Sequence, residues 1–157
     1  PMQTIDCETV EANDFPQRVR VRSHEFLADV TAESGSTDSA PGPHDYFDAA
    51  LVACKTLTAV WFAKKYAMPL ERVEAHVERD DREERTGKYV LRVQVAFHGP
   101  LTHEQRTKLY AAVAKCPIHK LMTTADVIWA SPPPAATKRS RSTPSVGGAC
   151  HSSASRQ

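Results

Sequence analysis

No stretch of this chain long enough to cross a bilayer is free of charge. Its most apolar segment, Pro43–Tyr66, carries Lys55, Lys64 and Lys65, so no membrane helix is expected. The opening residues also lack the basic and apolar pattern of a secretory signal. A cytoplasmic setting is therefore the expectation. There the four cysteines serve catalysis, metal binding or core packing sooner than structural disulfides. An excess of one charge is lacking too: 20 Lys and Arg face 19 Asp and Glu, a formal net charge of +1, which gives no general case for binding nucleic acid. The balance hides an asymmetry. Lys138, Arg139, Arg141 and Arg156 follow Ser131 with no acid among them. Subtracting these 4 from 20 leaves 16 against 19, about −3 for the rest of the chain. The paired cysteine patterns of structural zinc are absent, and so is any internal repeat.

What is present is organised around Pro43–Tyr66, PHDYFDAALVACKTLTAVWFAKKY. Ser39 or Gly42 can cap it, Pro43 suits the first helical turn, and Asp45 meets the positive end of the helix dipole. Phe47, Leu51, Cys54, Leu57 and Trp61 recur at helical spacing, while Val52, Val60 and Phe62 fill other faces, so the helix is apolar nearly all round and should be buried. Ahead of it lie a strand around Thr4–Val10, the strictly alternating Gln17–Ser23 with one wet face, and its hairpin neighbour His24–Thr31. After Met68-Pro69 stops the helix, Glu71–Asp80 and Lys88–His98 alternate as a second hairpin around the charged turn Asp81–Gly87. Thr102 and Gln105 form a capping box for another helix, Pro117 interrupts it, and Ile118–Met122 adds a short helical turn. Asp126–Ser131 reads as a last short strand. Pro132–Gln157, rich in Pro, Ser and Ala, has little to bury and is expected to be disordered. This order implies an α+β domain over residues 1–131. One sheet face cannot cover a helix apolar on several sides, so a second subunit is expected to do so.

Two cysteines stand out. Cys54, in the middle of the long helix, is either a small core hydrophobe or a nucleophile. Lys55 adjoins it, although neighbouring helix positions point in different directions. In Cys116-Pro117-Ile118-His119, Pro117 would place Cys116 at a helix N-terminus, where free N–H groups and the dipole favour an anionic sulfur; a plain capped junction fits as well. Cys-x-x-His could also supply two metal ligands, with Cys54 or Cys150-His151 completing a set. Cys7 and the Cys150-His151 pair read as incidental, and His24, His76, His98 and His103 as solvated. Asp45 lies nine residues before Cys54, about 13 Å of helical rise, too far for direct contact within one unbroken helix.

Together, Gly42–Glu74 (GPHDYFDAALVACKTLTAVWFAKKYAMPLERVE) and Leu101–Met122 (LTHEQRTKLYAAVAKCPIHKLM) resemble the OsmC/Ohr family. The shared pattern is a Pro-x-Asp/Glu helix opening, an Ala-rich run into a Cys, a Pro-Leu-x-x-Val strand start and a later Cys-Pro-x-His. The resemblance covers roughly residues 17–131 and is closest to the small OsmC-like branch. It implies the OsmC-like fold, with antiparallel sheets wrapped around two central helices in an intertwined homodimer. It also implies a thiol-dependent peroxidase that reduces organic hydroperoxides in oxidative or osmotic stress defence. Cys54 would attack the peroxide, Cys116 would resolve the product as a disulfide, and Asp45 would stand at the acidic position of the helix opening. Phe47, Leu51 and Trp61 would surround the substrate. An external dithiol would regenerate the thiols, with no cofactor, metal, nucleic acid or membrane partner involved. Three features depart from the pattern, one being that the tail beyond Ser131 has no family counterpart. The Ohr branch pairs an Arg from an early loop with its acid, a role that Arg18, Arg20 and Arg22 do not visibly fill, and Val52 stands where Gly is common. The contrasting expectation is a binding protein of the same architecture, holding an apolar ligand between its helices with both thiols inert.

Overall fold

A computed structural model describes residues 2–129. The described residues fall into two units, 2–125 and 126–129. The first is built from β1 (Ile5–Thr9), β2 (Gln17–Val21), β3 (His24–Ala28), α1 (Pro43–Lys65), β4 (Arg72–Glu83), β5 (Lys88–His98), α2 (His103–Ala114) and α3 (Pro117–Thr124). β1-β2-β3 form one antiparallel sheet and β4-β5 a second, giving the expected α+β arrangement.

The N-terminal sheet sorts its two faces by period-two alternation. Directly paired residues share a face, so the register Cys7–Val19–Phe26 and Ile5–Val21 gathers an apolar side. On the other side Arg18 and Arg20 pair with Glu8 and Glu25 at 2.7–3.6 Å. The main packing of β1–β3 is among themselves, and Ile5 and Phe26 stay exposed. The sheet is tied to α1 through Tyr46, whose hydroxyl donates to the Leu27 carbonyl and whose ring lies 5.0 Å from that of Phe26.

The core forms where α1, the β4-β5 hairpin and α2 meet. Ala59, Ala63, Phe97, Leu109 and Val113 are buried, with Phe62, Met68, Leu70, Val73, Val95 and Leu101 packed around them. The two alanines let neighbouring elements approach α1 closely. The turn from β5 into α2 is equally tight: Gly99 has φ +133°, and a Cβ there would lie 2.3 Å from the Pro69 carbonyl oxygen. Arg106 closes that turn by donating to the Phe97 and Gly99 carbonyls at 2.7 and 3.2 Å. The Thr102/Gln105 capping box is present at the start of α2.

Two sequence expectations are corrected. The charged turn is shorter than Asp81–Gly87, because β4 runs on to Glu83 through a register shift between Asp80 and Glu83. Exposed charges do not oppose an edge strand, and Arg82 folds back onto Asp80 at 2.7–2.8 Å; only residues 84–87 turn, ending at Gly87 with φ +86°. Residues 126–129 form no strand, since the short apolar run Val127-Ile128-Trp129 has no ladder partner among the described residues. The expectation that one chain leaves part of α1 uncovered holds among the described residues. The helix buries one stripe, Asp48, Leu51, Lys55, Ala59 and Ala63, and leaves Leu57 and Trp61 68% and 61% exposed. The expected tail from Pro132 onward lies outside the described residues, as do Ala130, Ser131, Cys150 and His151.

Leu109 is fully buried at the centre of this core. Replacing it by alanine removes buried methyl groups and leaves a cavity. Urea denaturation of Leu109→Ala is expected to show a loss of about 2–5 kcal/mol.

Candidate active site

α1 is capped by Gly42, whose N–H donates to Asp45 Oδ2 at 2.9 Å. The loop before it is anchored by Asp29, which is 2% exposed and accepts from the Ser39 N–H at 2.9 Å and hydroxyl at 2.7 Å. The Ser36 and Ser39 hydroxyls hold the Asp29 carboxyl well below the usual carboxylate range. The helix is continuous from Pro43 to Lys65, so Asp45 and Cys54 remain about 13 Å apart along it. Asp45 pairs with Arg79 of β4 at 2.8 Å. Its carboxyl lies below the ordinary value, first through the Gly42 N–H and then through Arg79.

Arg79 also binds Asp48, which is 5% exposed and accepts from the Tyr89 hydroxyl at 2.7 Å. Burial, then the Asp48 contact, pushes the Tyr89 hydroxyl up to about 12. Arg79, Asp48 and Tyr89 escaped the sequence reading, although the signal was there. Val73, Ala75, Val77 and Arg79 share one strand face, and Asp48 lies on the helical stripe that includes Leu51 and Lys55. A polar residue on a buried period marks a partner waiting on the facing element. The arginine beside the acid thus comes from β4. Arg18 and Arg20 are engaged with Glu8 and Glu25, and Arg22 sits in the β2-β3 turn with φ +53°.

Cys54 is half-buried on the flank of α1 beside the buried stripe. It lines a cleft of about 620 Å³, with Leu57 and Trp61 from α1 and Pro117 and Ile118 from α3. Cys116 is 1% exposed and is the N-cap residue of α3, immediately before the proline that walls the cleft. The fold therefore brings the two cysteine-bearing segments to one place. Of the three expected substrate contacts, only Trp61 shares the cleft with Cys54. Phe47 and Leu51 line a second cleft of about 680 Å³ with residues of β5, α2 and α3. Phe47 has the right spacing for the Cys54 flank but sits two turns nearer the N-terminus, where its ring packs 5.9 Å from that of Tyr89. His119 is exposed and also borders this second cleft. Lys55 does not curl toward Cys54; its ammonium donates to the Val113 carbonyl at 2.9 Å. Cys7 is exposed on β1, and among the described residues no three His, Cys, Asp or Glu side chains gather as a metal-holding group.

The family model for OsmC-like protein matches residues 35–130, from the loop before α1 to beyond α3. Solved structures of the same fold include the OsmC-like protein from Mycoplasma pneumoniae, at 17% identity and TM-score 0.63, covering 80% of this chain and 89% of that one. A second is the organic hydroperoxide resistance protein OsmC from Legionella pneumophila, at 18% identity and TM-score 0.54, covering 78% of this chain and 90% of that one. A third is the organic hydroperoxide resistance protein OhrB of Bacillus subtilis, at 18% identity and TM-score 0.51, covering 79% and 92%. No curated protein sequence matches the chain. The fold and the matched span define an OsmC-like domain, and the chain belongs to the OsmC-like protein family.

Removing the cation from the helix opening strands the buried Asp48 carboxylate. Arg79→Met is expected to cost about 3 kcal/mol, and Arg79→Met/Asp48→Asn to recover most of it, as read by urea denaturation. Asp45 binds its proton less readily folded than unfolded. Its contribution is thus present above the unfolded value of 3.8 and lost as the pH falls through the lower folded one. The urea midpoint should accordingly drop on acidification below about pH 4, and drop less in Arg79→Met.

Proposed function

We propose that this protein is a two-cysteine peroxidase that reduces organic hydroperoxides. The observation that carries the reading is the placement of Cys54 in an apolar cleft whose far wall is the segment that follows Cys116. In the first step the Cys54 thiolate attacks the distal peroxide oxygen. The S–O bond forms as the O–O bond breaks, and the alkoxide leaves with a proton as an alcohol; Cys54 becomes a sulfenic acid and the peroxide is reduced by two electrons. In the second step the Cys116 sulfur displaces the sulfenic oxygen as water and forms the Cys54–Cys116 disulfide. An external dithiol then exchanges with that disulfide and restores both thiols, itself ending as a disulfide. Leu57, Trp61 and Ile118 give the cleft an apolar lining, which favours a hydroperoxide with a hydrocarbon body over hydrogen peroxide. Asp45 acts at a distance from Cys54 within one chain, by fixing the start of α1 together with Arg79.

The working unit in this proposal is a homodimer. Among the described residues, the apolar side of β1–β3 and the Leu57/Trp61 flank of α1 lack cover, and a second copy would remove both from water. The flank carries Cys54, so the partner would also complete the peroxide site.

Thiol titration before and after one equivalent of an aryl hydroperoxide tests the chemistry. Two thiols lost per chain are expected in the wild type and in Cys7→Ser, and none in Cys54→Ser. Near-normal turnover by Cys54→Ser would end the assignment. Cys116→Ser should still react once and accumulate oxygen on Cys54, visible by mass spectrometry. For the assembly, Leu57→Asp places a charge on a side chain that is exposed in the single chain, so the subunit fold should survive while light scattering reports a shift toward monomer. An unchanged dimer would place the interface elsewhere.

A further inference from the structure

Lys55 is 7% exposed, and among the described residues no carboxylate pairs with it. A buried ammonium without a counter-ion is costly, and methionine would fill the same volume without that cost. What Lys55 has is the carbonyl of Val113, one of the last carbonyls of α2, at 2.9 Å. Such carbonyls have no partner inside their own helix and carry the negative end of its dipole, so a cation there is stabilised. The same carbonyl accepts a second hydrogen bond, from the backbone N–H of Cys116 at 3.3 Å. One oxygen therefore joins two sites. Lys55 follows Cys54 on α1, and the Cys116 N–H begins the segment that runs through Pro117 to the wall of the Cys54 cleft.

We propose that Lys55 is a positioning residue for the resolving thiol: its bond to Val113 locks the α2–α3 junction against α1 and so holds Cys116 within reach of Cys54. The proposal rests on the two-cysteine reading for its role in turnover, and the geometry behind it is independent of peroxide. A disulfide forms only when the two Cα atoms come within about 4.4–6.8 Å with the sulfurs correctly directed. Cys54 lies on one helix and Cys116 at the join of two others, so their encounter depends on how firmly that join is held. The second step, in which the Cys116 sulfur displaces water from the Cys54 sulfenic acid, depends on this hold. The first, attack of Cys54 on peroxide, does not.

The test uses the intact protein with Lys55→Met, which keeps length and loses the donor, and Lys55→Arg, which restores a cationic donor. In glutathione redox buffers, without peroxide, the equilibrium effective concentration of the Cys54–Cys116 pair should fall about tenfold in Lys55→Met, the scale of a hydrogen bond to a charged group. Lys55→Arg should recover part of that loss. In single turnover with an aryl hydroperoxide, Lys55→Met should form the sulfenic acid at the wild-type rate and the disulfide about tenfold more slowly. Leu109→Ala serves as the control for a general loss of stability. Equal effective concentrations in wild type and Lys55→Met, or a fall in Leu109→Ala as large as that in Lys55→Met, would overturn the proposal, as would a wild type that forms no Cys54–Cys116 disulfide in any redox buffer. If the redox-buffer difference appears but the wild type consumes no hydroperoxide, the positioning holds and the peroxidase reading fails. Should Lys55→Met not fold, Lys55→Gln, with a shorter neutral donor, takes its place under the same two criteria.

Discussion

An unbroken helix can show only one stripe to the elements of its own chain, and that constraint shapes this molecule. α1 runs 23 residues without a kink and turns Asp48, Leu51, Lys55, Ala59 and Ala63 toward the β4-β5 hairpin and α2. Each residue advances about 100° around the axis, so Cys54 cannot share the stripe of Lys55 and falls on the adjoining flank with Leu57 and Trp61. Straightness also keeps Asp45 two and a half turns from the thiol. The acid can therefore serve the helix opening directly but the thiol only through the structure.

The stripe is unusual in being polar at two of its five positions, and each polar residue is answered by a specific group. Asp48 meets Arg79 and Tyr89, and Lys55 meets the Val113 carbonyl. Apolar packing alone would let the helix slide or rotate by a residue at modest cost. A buried carboxylate and a buried ammonium do not permit that, because any other register leaves them without partners in a medium where an unpaired charge is heavily penalised. The two contacts pin the same stripe of α1 about two turns apart, one to β4 and β5 and the other to the end of α2. Between them they fix where the Cys54 flank faces.

The flank itself is apolar and uncovered by the described residues, and the outer sheet β1–β3 presents an apolar side of its own. Both are the kind of surface that association removes from water. The thiol cleft and the exposed Leu57/Trp61 surface share one flank of α1, so where both face depends on the same polar anchors.

Much of this was legible in the residues. Period-two runs placed β2, β4 and β5, with β5 matching residue for residue, and the Pro43 and Thr102/Gln105 signals placed the starts of α1 and α2, because strand alternation and helix capping are local physics. The two cysteine motifs were visible for the same reason. The end of β4 was not, since charged residues mark a turn or an exposed edge strand equally well, and residues 126–129 show that a short apolar run without a ladder partner is no strand. Nor could spacing tell that Phe47 leaves the Cys54 flank for Tyr89, or which arginine meets Asp45. Those depend on contacts between segments far apart in sequence: Arg79 is 34 residues from Asp45, and Val113 is 58 residues from Lys55. The sequence by itself determined the elements, their order and the thiols they carry, because propensity, capping and periodicity act within a few residues. Only the tertiary structure decided which stripe of α1 is buried, which cation answers which acid, and how the Cys116 segment comes to wall the Cys54 cleft, because partners for buried charges exist only once the helices and strands have packed.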